Sequence, residues 1–497
     1  MKTIIKITPA AFAAALVLIS CSLKEELTSQ ASPDSFFRNE QQCKAALNSS
    51  YFQIKSVYNY PFFYAVECCT DLMFCPSTNK EARMQISPSD PGVATVVWNQ
   101  SYYAIKNANC SIARISKSPL DEDVKKSLLA EGKIMRAFYY YLLTSFFGDV
   151  PFWEDEIVTS DDLSRITSLP RMSAVETRDK LISELNECVQ WLPQERFCQN
   201  KENRAGAPMG YMLIAKMAMW NKEWNTAVAA LEKLADIYGD LSQYPLSDVP
   251  FSVKNAPESI FEIQHKYVNG GIDFTMSLAC ICEPMREIGT DIYDGVSIPE
   301  LGDRSTTYTA ARPTAYYLSN YITRESADMR REMTLAWSYN GQPFNSVGTR
   351  PWLGPKFWCW GMESDSDGNN YKLFRYADAV LMLAECYAEA GRKDEAVAEL
   401  NKVKTRAGIK PYPRFKTREA FLEELMLERG RELIGEFHRK FDLVRWGNWY
   451  FQTSSYNDYS FLKNIHPWQE YFPIPDTEIA LSGYNLDNNA YIGGQNR

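Results

Sequence analysis

The run from Phe374 to Gly447 narrows the choice of fold more than any other part of the chain. Its first half reads FRYADAVLMLAECYAEAGRKDEAVAELNKVKTRAG. There Leu383, Ala384, Tyr387, Gly391, Ala396, Leu400 and Val403 recur at the spacing of two helices packed face to face. The small side chains of Ala384 and Ala396 let the helices approach closely, and Gly391 supplies the left-handed turn that ends the first. The second half, TREAFLEELMLERGRELIGEFHRKFDLVRWG, predicts a longer helix whose buried stripe carries Leu422, Leu425, Met426 and Leu433. Glu428, Arg429, Glu432 and Glu436 fall along or beside that same stripe. Unpaired charges buried there would be costly, so they are expected to pair among themselves and with Arg431 or Arg439. The alternative is a solvated, salt-laced face.

The N-terminus reads as an address. Lys2 and Lys6 precede an apolar run from Ile7 to Ile19, too short to span a bilayer comfortably, and Leu18-Ile19-Ser20-Cys21 follows. That ending resembles a bacterial lipobox, which implies removal of residues 1–20 and lipid attachment at Cys21; Ile19 is larger than usual at its place. A diacylglycerol plus an N-acyl chain anchors stably at about 0.8 kcal/mol per buried methylene. Ser22-Leu23-Lys24-Glu25-Glu26 is similar to the short acidic signals that send such lipoproteins to the outer face. The 53 basic and 62 acidic residues give a net charge of −9 with no Lys/Arg cluster, which argues against nucleic acid as a partner. The 12 cysteines have no regular spacing; Cys68 and Cys69 are adjacent, and Cys280-x-Cys282 has the wrong gap for a zinc knuckle, so most read as small buried hydrophobes.

Along the chain, helical spacing predicts a first helix opening near Ser32–Glu40, with Ala45, Ala46 and Tyr51 on its packed face and a helix end at Asp71. Further helices are expected over 96–116, 121–147, 177–192, 209–220 and 224–237. Gly148 stops the third and Pro151 prevents its resumption. From 238 to 371 the helical period fades into Gly, Pro, Asn and Asp, with short alternating pieces such as Ser259–Ile263. The expected organisation is therefore a signal peptide at 1–20, a helical-repeat region at 21–237, an irregular insertion at 238–371 with a few short strands, and a last repeat pair with its C-terminal region at 372–497.

Catalytic and metal signatures do not emerge. The three histidines, His265, His438 and His466, are far apart and none sits in HExxH; no GxSxG elbow, P-loop or GxGxxG turn is present. Paired carboxylates for glycoside cleavage are set in space, so the sequence leaves them open. Glu363-Ser-Asp365-Ser-Asp367-Gly368 imitates half a calcium loop, but Phe374 stands where the bidentate Glu belongs, and a surface turn is the expected reading. No metal, cofactor or catalytic residue is assigned.

RYADAVLMLAE, AELNKVKTRAG, ERGRELIGEFHRKFDLVRWG and YFPIPDTEI resemble the SusD/RagB family, as does LLAEGKIMRAFYYYLLTSFFGDVPF with Glu131, Arg136, Tyr139, Gly148-Asp149 and Pro151. The resemblance implies a mainly α, tetratricopeptide-like scaffold of about four helix pairs interrupted by a loop-rich insertion. It also implies a surface lipoprotein that captures glycans, or sometimes peptides, for a SusC-like TonB-dependent outer-membrane transporter. In that family the ligand is held by loops after the first helix and by the insertion. Flat aromatic rings stack on sugar rings while polar groups fix hydroxyls. On that chemistry Asp71, Arg83, Tyr317, Trp337 and Trp352 are the expected ligand contacts, each with core packing or plain solvation as its alternative; Trp98 lies at core spacing. A peptide-binding relative and a lipid-anchored glycan-degrading enzyme are the competing functions.

Overall fold

A computed structural model describes residues 36–489 apart from 267–276, 284–291, 294–295, 298–309, 323–325, 340–341, 344–351 and 363–364. The signal region and Cys21 lie outside the described residues. Thirteen principal helices follow in order. They are α1 (Glu40–Val57), α2 (Val93–Ser116), α3 (Glu122–Phe147), α4 (Ser160–Thr167), α5 (Ala174–Cys188), α6 (Ala207–Trp220) and α7 (Trp224–Tyr238), then α8 (Tyr376–Glu389), α9 (Lys393–Arg406), α10 (Arg418–Leu433), α11 (Arg439–Arg445), α12 (Trp449–Tyr456) and α13 (Asp476–Leu481). The bounds of α2, α3, α6 and α7 follow the sequence periodicity closely, whereas α4, α12 and α13 were not expected from it. Glycines with positive φ end α3 (Gly148, 73°) and the α8 turn (Gly391, 79°), as their lack of a Cβ permits.

The helices pack as neighbours in pairs: α2 on α3, α6 on α7, α8 on α9, with α7 against α8 joining two pairs into one layer. Stacked pairs bury an apolar face that no single pair covers. α1 differs from expectation. Its helix begins at Glu40, where the Asn39 side chain accepts from the Gln42 N–H, and it buries Cys43, Leu47, Ile54 and Val57; Ala45 is exposed. The segment after it ends in a π-helical turn, Tyr64–Cys68, short of Asp71. The motif residues of α3 serve this packing. Arg136 reaches Glu184 at 2.5 and 2.6 Å and the Asn109 side chain at 2.9 Å, and Glu131 accepts from Tyr51 at 2.6 Å and Arg204 at 2.8 Å.

Among the described residues ten short strands complete the architecture: β1 (Met73–Phe74), β2 (Ser259–Ile263), β3 (Ile292–Tyr293), β4 (Val296–Ser297), β5 (Arg312–Pro313), β6 (Leu335–Ala336), β7 (Ser338–Tyr339), β8 (Gln342–Pro343), β9 (Trp352–Leu353) and β10 (Tyr371–Arg375). β4-β3-β7-β8 form one antiparallel ribbon, and β2 pairs with β10, bringing the two ends of the insertion together. β1 pairs with β5, and β6 with β9, so the insertion is also stitched to the chain that follows α1. Among the described residues eleven cysteines are free thiols, eight of them buried.

The insertion is fastened to the repeats by charge. Arg330, Lys356, Arg375, Lys404, Arg406 and Arg431 meet Glu258, Asp328, Glu424, Glu428, Glu432 and Glu436, six of each sign, almost all buried. Glu428, Arg429, Arg431 and Glu432 of α10 are thus interior, while Arg418, Glu419 and Glu423 are exposed, and most partners of the interior set come from elsewhere in the chain. Arg439 pairs with Asp71, and Arg429 with Asp378 and Asp442. Burial raises the affinity of Glu432 for a proton, and Arg406, Arg375 and Arg330 more than reverse that, holding its carboxyl below the usual range.

His265 lies buried beside the Tyr371 ring at 5.2 Å, and burial pushes its pKa down to about 3. Its ordinary value is near 6.5, so the unfolded chain takes up a proton that the folded chain refuses. The corresponding stability is fully present above about pH 6.5 and is lost as the pH falls toward 3. Replacing His265 by phenylalanine is expected to remove this loss. Relative to the parent, the variant should gain about 2 kcal/mol between pH 7 and 4.5, read from urea unfolding at both values. An unchanged difference at the two pH values would contradict the neutral, buried imidazole.

Candidate functional site

The strands of the insertion that touch the helical layer place two indoles at the surface. Trp352 opens β9 directly opposite Ala336 of β6, so a methyl group rather than a large side chain faces it across the ladder. Gly354 makes this pairing possible: a Cβ there would stand 2.7 Å from the Leu335 backbone nitrogen. The Gly354 N–H donates to the Thr334 carbonyl at 2.8 Å. Trp337 follows β6, and its indole N–H donates to the Arg331 carbonyl at 3.1 Å. Both indoles are half-buried. Each lies beside a guanidinium, Arg312 at 5.3 Å from the Trp352 ring and Arg331 at 4.6 Å from the Trp337 ring. Arg312 is itself on β5, paired with β1, so the loop after α1 and the insertion meet here.

The other three expected contacts fall differently. Asp71 is fully buried and bound by Arg439 Nε at 2.8 Å, Arg439 Nη2 at 2.6 Å and the Tyr321 hydroxyl at 2.8 Å. It is a strut between the loop after α1 and α11, and no surface of it faces outward. Tyr317 is also fully buried, its ring stacked on Tyr321 at 5.4 Å. It was expected at the surface because tyrosines cluster there in sequence. Thr314 caps the short turn Ala315–Tyr317 by accepting from the Tyr317 N–H, and that turn aims the ring inward. Arg83 is half-buried in the loop before α2, its Nε donating to the Ser77 carbonyl at 3.1 Å and the Tyr459 hydroxyl at 2.9 Å, with its guanidinium over Phe461 at 4.3 Å.

The remaining aromatics of the insertion divide. Trp358 and Tyr321 are interior, Tyr316 is half-buried and Trp360 is 47 % exposed. Trp98 is in the core, as its spacing implied. Asp367 corrects the surface-turn reading of the calcium-like stretch. It is buried and accepts from the Ala279 and Asn369 N–H groups, each at 3.0 Å, and burial raises its pKa to about 7. Glu363 lies outside the described residues. Among the described residues no cluster of His, Cys, Asp or Glu has the arrangement of a metal site, and no helix is long and apolar enough to cross a membrane. Sequence reasoning missed Arg312, Arg331 and Phe461. The Tyr/Asn-rich segment after Gly447 was the available signal for the last.

Paired helices of tetratricopeptide type carrying a strand-bearing insertion with surface indoles define a helical-repeat scaffold that presents an aromatic face. A model described as the SusD family matches residues 359–491, and one described as starch-binding, associating with the outer membrane, matches residues 29–217. The chain belongs to the SusD/RagB family. SusD-like protein P25 of Formosa agariphila is 24 % identical over 440 residues, 80 % of this chain and 79 % of the relative. A SusD homolog from Bacteroides thetaiotaomicron superposes with a TM-score of 0.75 at 18 % identity, covering 93 % of this chain and 98 % of its own. Surface glycan-binding protein A from Bacteroides thetaiotaomicron, in complex with laminarihexaose, superposes with a TM-score of 0.70 at 19 % identity, covering 91 % and 99 %. At these identities the structural matches establish the shared fold.

Proposed function

We propose that this protein is a lipid-anchored, non-catalytic outer-membrane lipoprotein that binds glycans at the cell exterior and delivers them to a SusC-like TonB-dependent transporter. The observation that carries the reading is the pair of half-buried indoles, Trp337 and Trp352, displayed by the insertion of a fold shared with a glycan-binding surface protein solved with laminarihexaose. The insertion, residues 238–371, supplies the ligand-facing side, and the helical regions on either side hold it in place. Cys21 supplies the lipid attachment, consistent with a family description that associates such chains with the outer membrane. Arg83, over the Phe461 ring, stays a candidate contact, whereas Asp71 and Tyr317 are buried supports.

Binding of this kind needs several weak contacts, since one aromatic stack contributes on the order of 1 kcal/mol. Trp352→Ala is therefore expected to weaken glycan binding about fivefold to tenfold, and Trp337→Ala with it to abolish retention; Trp337 also packs against the core, so binding is compared at a temperature where both variants are folded. Affinity electrophoresis of the lipid-free protein on a panel of plant, algal and host polysaccharides checks this. Retention by no polysaccharide from an intact fold would overturn glycan capture, and steady release of sugars from the same panel would make the protein an enzyme. Retention of peptides alone would favour the peptide-binding branch of the family.

A further inference from the structure

The geometry points to a second aromatic subsite for the same glycan, formed by α12, the loop behind it and the Arg83 loop; this deepens the glycan-binding reading and rests on it. Between Trp449 and Phe461 the sequence is WYFQTSSYNDYSF, in which every apolar side chain is aromatic and none is aliphatic. Tyr450, Phe451 and Phe461 stand 41, 55 and 37 % exposed. Tyr456 stacks on Tyr316 with ring centres 3.8 Å apart and planes within 7°. Tyr316 lies only four residues beyond Arg312, the residue beside Trp352, a chain length of at most about 14 Å. That path joins Trp352 to the Tyr316–Tyr456 stack within a span of roughly 20 Å, the reach of a short oligosaccharide.

The chemistry of this shelf suits a sugar. A pyranose offers a flat C–H face to a ring and a rim of hydroxyls to polar groups, and exposed rings beside a guanidinium meet both. Phe461 carries the Arg83 guanidinium over one face, 4.3 Å away. The fold uses Arg83 Nε, bound to Ser77 and Tyr459, and makes no hydrogen bond through the two terminal nitrogens among the described residues. Those nitrogens lie beside an exposed ring, the arrangement that reads a hydroxyl edge. A glycan of several sugar units seated on Trp352 would extend across Tyr316 onto this shelf.

The test uses the double variant Phe451→Ala/Phe461→Ala, Trp352→Ala and the parent, all as full mature chains. The probes are oligosaccharides of about two to eight sugar units cut from the polysaccharides that the parent retains, measured by isothermal titration calorimetry. The shelf variant is expected to bind long chains about tenfold more weakly and short chains as the parent does, while Trp352→Ala weakens all lengths. Equal loss at every length, or no loss at any, would overturn the subsite. So would unchanged glycan binding combined with lost co-purification of the transporter, which would make the shelf a protein-docking surface. A parent that retains no glycan removes the function itself, an outcome separate from failure of the shelf. Matched melting temperatures confirm that the variants are folded.

Discussion

Glu432→Leu is expected to destabilise the protein by about 3–5 kcal/mol. Glu432 is 1 % exposed and bridges three guanidiniums: Oε1 accepts from Arg375 at 3.0 Å and Arg406 at 2.6 Å, and Oε2 accepts from Arg330 at 2.9 Å. Removing its charge leaves six buried cations against five carboxylates, with no water to screen the excess. Glu258, Glu428 and Glu436 keep parts of the network but already hold other partners. Because Arg330 and Lys356 belong to the insertion, the damage should appear there first, as early proteolysis between residues 238 and 371. Urea unfolding followed by circular dichroism measures the loss. Arg165→Ala, which removes an exposed pair with Asp155, serves as the control and should leave the transition in place. A Glu432→Leu transition that overlays the parent would show that the network holds nothing together.

The second large effect separates structure from binding at Asp71. Asp71→Ala leaves Arg439 buried with only the Tyr321 hydroxyl and the Met426 carbonyl to accept its protons. The expected loss is again about 3–5 kcal/mol, since the cost is that of an uncompensated buried charge rather than of one hydrogen bond. Burial disfavours the charged guanidinium, and Asp71 outweighs that in the parent, which raises the Arg439 pKa. At a temperature where the variant is still folded, its affinity for glycan should equal that of the parent. Weakened binding with unchanged unfolding would return Asp71 to the ligand surface, contrary to its complete burial.

The helical framework was legible because it rests on local spacing. Leu383, Ala384, Ala396 and Leu400 fix a helix pair through contacts three, four and a turn apart, and Gly391 and Gly148 mark stops that only a residue without a Cβ takes readily. The interior charges on α10 were legible too, since Glu428 and Glu432 fall beside Leu425 and Leu433, with Glu436 just past the helix end. Their partners were not. Arg330 and Arg375 lie far from α10 along the chain, and nothing in a helical period announces them.

The aromatic face shows the same division more sharply. Composition and position pointed to the insertion as the place where rings gather, and Trp337 and Trp352 do stand at its surface. Tyr317 and Asp71, chosen by the same reasoning, went inside. A turn of one residue reverses a side chain's direction; the Thr314 cap set that of Tyr317 locally, while Asp71 was turned inward by Arg439 and by Thr314, both distant in sequence. Thus residue order by itself determined the helix pairs, their stops and the interior stripe, because those depend on neighbours within a turn or two. Which rings face solvent, and which charges meet, was decided only when the strands after α1, the insertion and the C-terminal helices closed on one another. Burial and ion pairing are properties of that closure and not of any one segment.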